Sequence, residues 1–105
     1  MIGEGFVTVA RVGELPVGGV KVVRMGDLPI ALFHLEGGYY AIEDLCTHDG
    51  GPLAEGVLEG DVIECPRHGA RFNVKSGVAL CLPATAPVPT YVVRVQGNEI
   101  QVGGV

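Results

Sequence analysis

The sequence has few of the residues on which reactive or strongly charged sites depend. Its 105 residues include three cysteines, three histidines and no tryptophan. Lysine and arginine number seven against twelve acidic residues, which gives a net charge of −5. We therefore expect no binding to nucleic acid, because that function needs a basic stripe. A modest acidic excess instead suits contact with positively charged partner surfaces.

Long apolar runs and a secretory signal are also lacking. The first residues, MIGEGFVTVARVG, contain neither a basic region nor a continuous apolar stretch. The longest uncharged run, from Val78 up to Arg94, is interrupted by Pro83, Pro87 and Pro89, so no membrane span is expected. These features predict a cytoplasmic protein with reduced thiols. A ligand role for two of the cysteines then fits better than a disulfide framework.

Seventeen glycines and seven prolines divide the chain into segments that are mostly too short for helices. Strands are predicted at FVTVARV, VKVVRM, IALFHL and YYAIE, in the two halves of GVLEGDVIEC, and in the hairpin TYVVRVQGNEIQV. Two further hairpin signals are the pairs Gly37-Gly38 and Gly97-Asn98. The pattern predicts one all-β domain, residues 1–105, with eight to ten short strands in an antiparallel sandwich or barrel. Only the stretches 44–54 and 65–70 have weak strand character.

Those two stretches contain paired cysteine and histidine residues. Cys46 and His48 are separated by one residue, and Cys65 and His68 by two, with sixteen residues between the pairs. Cysteine and histidine together bind zinc, copper or iron, or an iron–sulfur cluster. Small residues follow each pair, which lets backbone N–H groups come close to a bound group.

The pattern C-x-H, sixteen residues, C-x-x-H resembles the Rieske [2Fe–2S] proteins. The similarity extends over CTHDGGPLAEGVLEGDVIECPRHGARFNVKSG, residues 46–77, and LPATAPVPTYVVRV is similar to the family's proline-containing loop and return strand. The resemblance implies a Rieske-type β sandwich or barrel with an inserted cluster-binding subdomain at about 44–82. It also implies one [2Fe–2S] cluster, with one iron bound by Cys46 and Cys65 and the outer, reducible iron bound by His48 and His68.

Some positions depart from the respiratory-chain members of the family. Those proteins have an extra disulfide-forming cysteine in each loop, and the matching positions here are Gly51 and Arg67. Their serine and tyrosine hydroxyls beside the cluster are matched by Ala70 and Phe72. Two donors that would stabilise a reduced, more negative cluster are therefore missing. We expect a potential near the low end of the Rieske range, about −150 mV.

The chain resembles the ferredoxin component of multicomponent ring-hydroxylating dioxygenases. This implies a monomeric electron carrier, not itself an enzyme, that passes single electrons from a flavin-dependent reductase to a terminal oxygenase. An alternative is the small Rieske subunit of an assimilatory nitrite reductase, bound to its large catalytic subunit. A third alternative, of another class, is a non-redox interaction module in which the four residues hold a structural zinc ion.

Several other residues have simpler interpretations. Cys81, between two leucines, is interpreted as a small buried apolar residue, and His34 as an ordinary strand histidine. Gly50, Gly51 and Gly69 are assigned to backbone geometry. Arg67 and Arg71 bracket the second pair, and the sequence leaves open whether they are solvated surface charges or contacts to a partner.

Overall fold

The structure of the chain is a computed structural model, which describes residues 5–47, 50–67, 69–82 and 84–103. Within these ranges it contains ten β-strands and no helix. The predicted all-β class and number of strands are therefore confirmed. In the same part of the chain, no helix is long and apolar enough to cross a membrane.

Six of the strands form one antiparallel sheet. They are β1 (Val7–Arg11), β2 (Val20–Met25), β3 (Leu28–Leu35), β4 (Gly38–Glu43), β9 (Thr90–Gln96) and β10 (Glu99–Gly103). Their spatial order is β1-β10-β9-β4-β3-β2. Because β1 and β2, at the two ends of this order, contact each other, the sheet nearly closes into a barrel.

The other four strands form a smaller antiparallel sheet, inserted in the chain between β4 and β9. In sequence and in space it runs β5 (Val57–Glu59), β6 (Val62–Glu64), β7 (Arg71–Asn73) and β8 (Ala79–Cys81). The strands are only three residues long, so the sheet depends for its stability on packing against the barrel.

Strand β3 lies between two hydrophobic cores and contributes side chains to both. Its side chains alternate between the two faces of the sheet: Ile30 and Leu32 enter the barrel, whereas Ala31 and Phe33 face the smaller sheet. The barrel core consists of Ala10, Leu15, Val23, Ile30, Leu32, Ala41, Ile100 and Val102. The shared core, between barrel and smaller sheet, consists of Ala31, Phe33, Leu35, Ile42, Cys46, Leu53, Ile63, Cys65, Ala70, Phe72, Val74, Ala84 and Val88.

The predicted strands coincide well with those of the barrel. VKVVRM is β2 to the residue, and the hairpin predicted around Gly97-Asn98 joins β9 to β10 in the register Ile100–Val95 and Val102–Val93. The predicted hairpin between β3 and β4 is confirmed, but its two-residue turn is Glu36-Gly37, because Gly38 already belongs to β4 and pairs with Leu35. Strands β7 and β8 were not predicted, because RFN and ALC are too short to show an alternating pattern.

Because of Tyr91, on β9, the stability of the fold depends on pH in the alkaline range. Its ring packs on the barrel core, and burial, aided by the negative charge of Glu43, raises the pKa of the phenol. The folded state thus holds the phenolic proton more tightly than the unfolded state. The associated stability is present below the unfolded pKa and is lost as pH rises through the folded one.

We therefore expect the Tyr91→Phe variant to lose less stability than the wild type between about pH 8 and pH 11. Thermal unfolding followed by circular dichroism at several pH values checks this. Equal losses in the two proteins over that interval would show that the Tyr91 phenol does not contribute.

Candidate metal centre

The two cysteines lie in loops that follow β4 and β6, one strand from each sheet. Cys46 follows β4 by three residues, and Cys65 directly follows β6. Both side chains belong to the shared core, with exposures of 0% and 1%. The fold thus brings the two cysteines, nineteen positions apart in sequence, into one buried cluster at the junction of the two sheets.

The backbone of each loop is closed by the same two hydrogen bonds. In the first loop the Cys46 N–H donates to the Gly51 carbonyl at 2.7 Å, and the Gly50 N–H donates to the Cys46 carbonyl at 2.7 Å. In the second loop the Cys65 N–H donates to the Ala70 carbonyl at 2.7 Å, and the Gly69 N–H donates to the Cys65 carbonyl at 3.2 Å. Each cysteine therefore begins an equivalent six-residue frame, 46–51 and 65–70.

Glycine occupies the fifth position of both frames for the same reason. Gly50 and Gly69 each have φ of +78°, in the left-handed region that a side chain rarely adopts. This confirms that they serve backbone geometry. At the sixth position, Gly51 and Ala70 are both buried, so the closing carbonyls lie against the core.

The histidines occupy unequal positions in the two frames. His48 is the third residue of the first frame, and His68 is the fourth residue of the second. Both lie outside the described residues, as does Pro83. Their part in the centre therefore remains a prediction from sequence.

The donor chemistry of the described residues fits an iron–sulfur group. Both thiols are buried in the shared core, and thiolate is the ligand that iron–sulfur clusters require. Across the described ranges, no three His, Cys, Asp or Glu side chains group together as a metal site.

Residues 84–89, the covering segment, are attached to the first loop and to the turn between β7 and β8. The Thr47 hydroxyl donates to the Ala86 carbonyl at 2.7 Å, from the second position of the first frame. At the other end, the Val88 N–H donates to the Gly77 carbonyl at 2.9 Å, and the Val88 side chain is buried in the shared core. The role of Thr47 was missed by sequence reasoning, although a hydroxyl between two candidate ligands was a signal for it.

Charged side chains near the loops are mostly engaged in contacts. Arg71 pairs with Glu64 at 3.0 Å across the β6–β7 register, and the Asp44 carboxylate accepts the Ala54 N–H at 2.7 Å. Arg67 is exposed, at the third position of the second frame. The Arg71 pair is half exposed, and such a pair contributes about 0–1 kcal/mol.

The interpretation of Cys81 as a buried residue is wrong. Its thiol is exposed, because β8 is the edge strand of the smaller sheet and both Leu80 and Cys81 lie outside the core. The Cys81 Sγ lies 3.6 Å from the Gly69 carbonyl oxygen and can donate a weak hydrogen bond to it.

His34 lies within β3, away from both loops in sequence. Its Nδ1 is 2.7 Å from the Leu15 carbonyl oxygen, and its ring stacks on Tyr39 with a centroid separation of 4.0 Å. These contacts agree with its interpretation as an ordinary strand histidine.

The protein is small and all-β, and its two equivalent cysteine loops place both thiols in one buried core. These features are those of a protein that carries a metal cluster. The family model for the Rieske [2Fe-2S] domain matches residues 5–92, and the chain belongs to that family. Its cofactor is one Rieske-type [2Fe–2S] cluster, so the zinc alternative is not supported.

Ferredoxin components of dioxygenase systems are among the proteins similar to this chain. The ferredoxin component of the naphthalene 1,2-dioxygenase system of Pseudomonas aeruginosa is 38% identical, with 94% of this chain and 95% of that protein covered. The 3-phenylpropionate/cinnamic acid dioxygenase ferredoxin subunit of Escherichia coli (strain K12) is 53% identical over 72 residues, or 68% of each chain. This chain is accordingly an electron carrier and not an enzyme.

Two solved structures that contain a ferredoxin of a dioxygenase system are also similar to this chain. The ferredoxin of carbazole 1,9a-dioxygenase from Nocardioides aromaticivorans IC177 superposes with a TM-score of 0.91 at 33% identity, covering 97% of this chain and all of that one. A chain in the complex of reduced oxygenase and oxidized ferredoxin in carbazole 1,9a-dioxygenase has a TM-score of 0.89 at 38% identity, covering 97% of this chain and 95% of its own.

Proposed function

We propose that this protein passes single electrons from a flavin-dependent reductase to the terminal oxygenase of a ring-hydroxylating dioxygenase system. The observation that carries this proposal is the pair of equivalent loops around Cys46 and Cys65, in a chain similar over nearly its whole length to ferredoxins of such systems. The complex of oxygenase and ferredoxin known for one similar protein supports the choice of acceptor. The alternative of a nitrite reductase small subunit has no comparable support at this level of identity.

The proposed ligands are Cys46 and Cys65 on one iron and His48 and His68 on the other. When bound, the cluster supplies a one-electron redox couple whose imidazole ligands keep its net charge less negative than four thiolates would. The chain's own residues hold the two thiols in matching frames and exclude water behind them with the shared core. We further propose that residues 1–105 form one domain, with the cluster-binding subdomain at about 44–82, and that the protein is a cytoplasmic monomer.

A low reduction potential, about −150 mV, also follows from the residues beside the thiols. Ala70, the last residue of the second frame, and Phe72, two residues further on, are both fully buried and carry no hydrogen-bond donor in their side chains. A donor placed there would stabilise the reduced, more negative state over the oxidised one.

The Ala70→Ser variant is therefore expected to raise the potential by about 60 mV, which corresponds to a tenfold shift in the one-electron equilibrium. Protein-film voltammetry or a dye-mediated titration measures it. Ala10→Ser, which places the same hydroxyl in the barrel core, is the matched control and should leave the potential unchanged. A potential that is unchanged or lower in Ala70→Ser would contradict the explanation.

Electron delivery tests the proposed function directly. The cluster-loaded protein is combined with the reductase and oxygenase components of the 3-phenylpropionate/cinnamic acid dioxygenase system of Escherichia coli, whose own ferredoxin serves as the positive control. We expect oxygen consumption coupled to hydroxylated product when this chain replaces that ferredoxin. A loaded protein that supports no product with these components, or with those of the naphthalene system, would count against the proposal.

A further inference from the structure

The ion pair of Glu64 and Arg71 flanks the second frame. The two residues are register partners across β6 and β7, so their side chains lie on the same face of the smaller sheet. Their chain neighbours Cys65 and Ala70 are buried in the shared core, whereas the Glu64 side chain is 38% exposed and the Arg71 side chain 49% exposed. The frame 65–70 is thus the loop of a hairpin that begins and ends at this ion pair.

The two oxygens of the Glu64 carboxylate face different groups. Oε1 accepts a hydrogen bond from the Arg71 Nε at 3.2 Å and lies 3.0 Å from the Arg71 Nη2. Oε2 lies 3.7 Å from the position that a Cβ on Gly69 would occupy, and no atom of Arg71 comes within 4 Å of that position. Gly69 follows His68 in sequence, and its N–H donates to the Cys65 carbonyl. Of the two charges in the pair, the negative one therefore approaches the turn of the frame.

We propose that Glu64 is a further residue that sets the reduction potential, and that its carboxylate lowers the potential of the cluster, an inference that rests on the proposed function. Reduction by one electron from the reductase makes the cluster more negative by one unit of charge, and transfer of that electron to the oxygenase restores the original charge. A carboxylate beside the second frame repels the added charge and favours the oxidised state. Arg71 holds the carboxylate in this direction and offsets part of its field.

The opposite charges of the pair predict opposite shifts in the potential. Glu64→Gln keeps the shape of the side chain and removes its charge, so we expect the one-electron equilibrium to shift about threefold toward the reduced state. That shift raises the potential by about 30 mV, at about 59 mV per tenfold. Arg71→Gln removes the positive charge and is expected to shift the same equilibrium about twofold toward the oxidised state. A general disturbance of the hairpin would not give shifts of opposite sign.

A conservative variant and the salt concentration separate charge from packing. Glu64→Asp keeps the charge and shortens the side chain by one methylene group, so its potential should be closer to that of the wild type than the potential of Glu64→Gln is. Raising the ionic strength from about 0.1 M to about 1 M shortens the Debye length from about 10 Å to about 3 Å. The difference in potential between Glu64→Gln and the wild type should then fall to less than half.

The ion pair of Asp61 and Lys75 provides the matched control. Its charged atoms are 3.6 Å apart, and the Asp61 side chain is 47% exposed and the Lys75 side chain 44% exposed. Asp61 precedes β6, at the opposite end of that strand from Cys65, about 13 Å away at about 3.3 Å per residue. Asp61→Asn should therefore shift the one-electron equilibrium by less than a third of the change expected for Glu64→Gln.

The experiment measures the potential of the cluster-loaded wild type and variants by dye-mediated titration at both ionic strengths, with the visible spectrum of each recorded first. A higher potential in Glu64→Gln, a lower one in Arg71→Gln and little change in Asp61→Asn support the proposal. A potential of Glu64→Gln equal to that of the wild type, shifts of the same sign in Glu64→Gln and Arg71→Gln, or a difference that does not depend on salt would overturn it and leave the proposed function intact. A loaded wild type without a reversible one-electron couple would overturn both.

Discussion

Replacing His48 or His68 with alanine is expected to abolish the visible absorption of the purified protein. Each histidine is a proposed ligand of the outer iron, and a cluster that lacks one of its four protein ligands is not retained. Iron and acid-labile sulfide should fall from about two of each per chain to near zero. The absorption spectrum, taken before and after dithionite, and metal analysis of the same sample measure this.

His34→Ala is the control for this pair of variants. His34 contacts Leu15 and Tyr39 and belongs to β3, so its loss should weaken the barrel slightly and leave the cluster in place. Cys81→Ser should likewise keep the spectrum, because that thiol is at the exposed edge strand. An unchanged spectrum in His48→Ala or His68→Ala would show that the ligand assignment is wrong.

Gly77→Ala is expected to destabilise the fold by about 3 kcal/mol or more. Gly77 has φ of +79°, and an added Cβ would overlap the Val88 carbonyl oxygen and lie 2.9 Å from Thr90 Cγ2. The added methyl group would push away the segment whose Val88 N–H now donates to the Gly77 carbonyl. The covering segment would then lose its anchor at the turn between β7 and β8.

Gly97→Ala separates the steric effect from the backbone effect. Gly97 has a similar φ of +63°, but a Cβ added there, in the β9–β10 turn, would meet no other atom within 4 Å. That variant should lose only about 1–2 kcal/mol. Thermal unfolding by circular dichroism measures both, with about 4–8 °C expected per kcal/mol in a domain of this size. Equal decreases in melting temperature in the two variants would mean that the covering segment moves away from the added methyl group at no cost in folding free energy.

The sequence predicted the barrel better than the smaller sheet, for a physical reason. The barrel strands are long enough to show apolar periodicity, and β3 in particular, buried on both faces, is apolar at every position except His34. The three-residue strands β7 and β8 carry no such signal, since tertiary packing alone determines them. Cys81 was misjudged because an apolar neighbourhood in sequence does not distinguish a core strand from an edge strand.

At the candidate site, the two cysteines were predictable and their common geometry was not. The spacing of Cys46 and Cys65 identified the loops, and the structure confirms that both thiols are buried together. The equivalence of the frames was concealed by the unequal histidine offsets. Glycine four residues after each cysteine was the signal for it. The contact from Thr47 to Ala86 depends on residues far apart in sequence, which periodicity cannot relate.

Because β3 separates the two cores, the core around the cysteines and the barrel core have no buried side chain in common among the residues that the structure describes. Ile30 and Leu32 can remain packed inside the barrel while the residues around Cys46 and Cys65 rearrange on the other face. Assembly of the cofactor therefore requires only one half of the interior to form around it. We therefore expect a molecule that has lost its cluster to keep the barrel core folded, and so to be able to take up a new cluster.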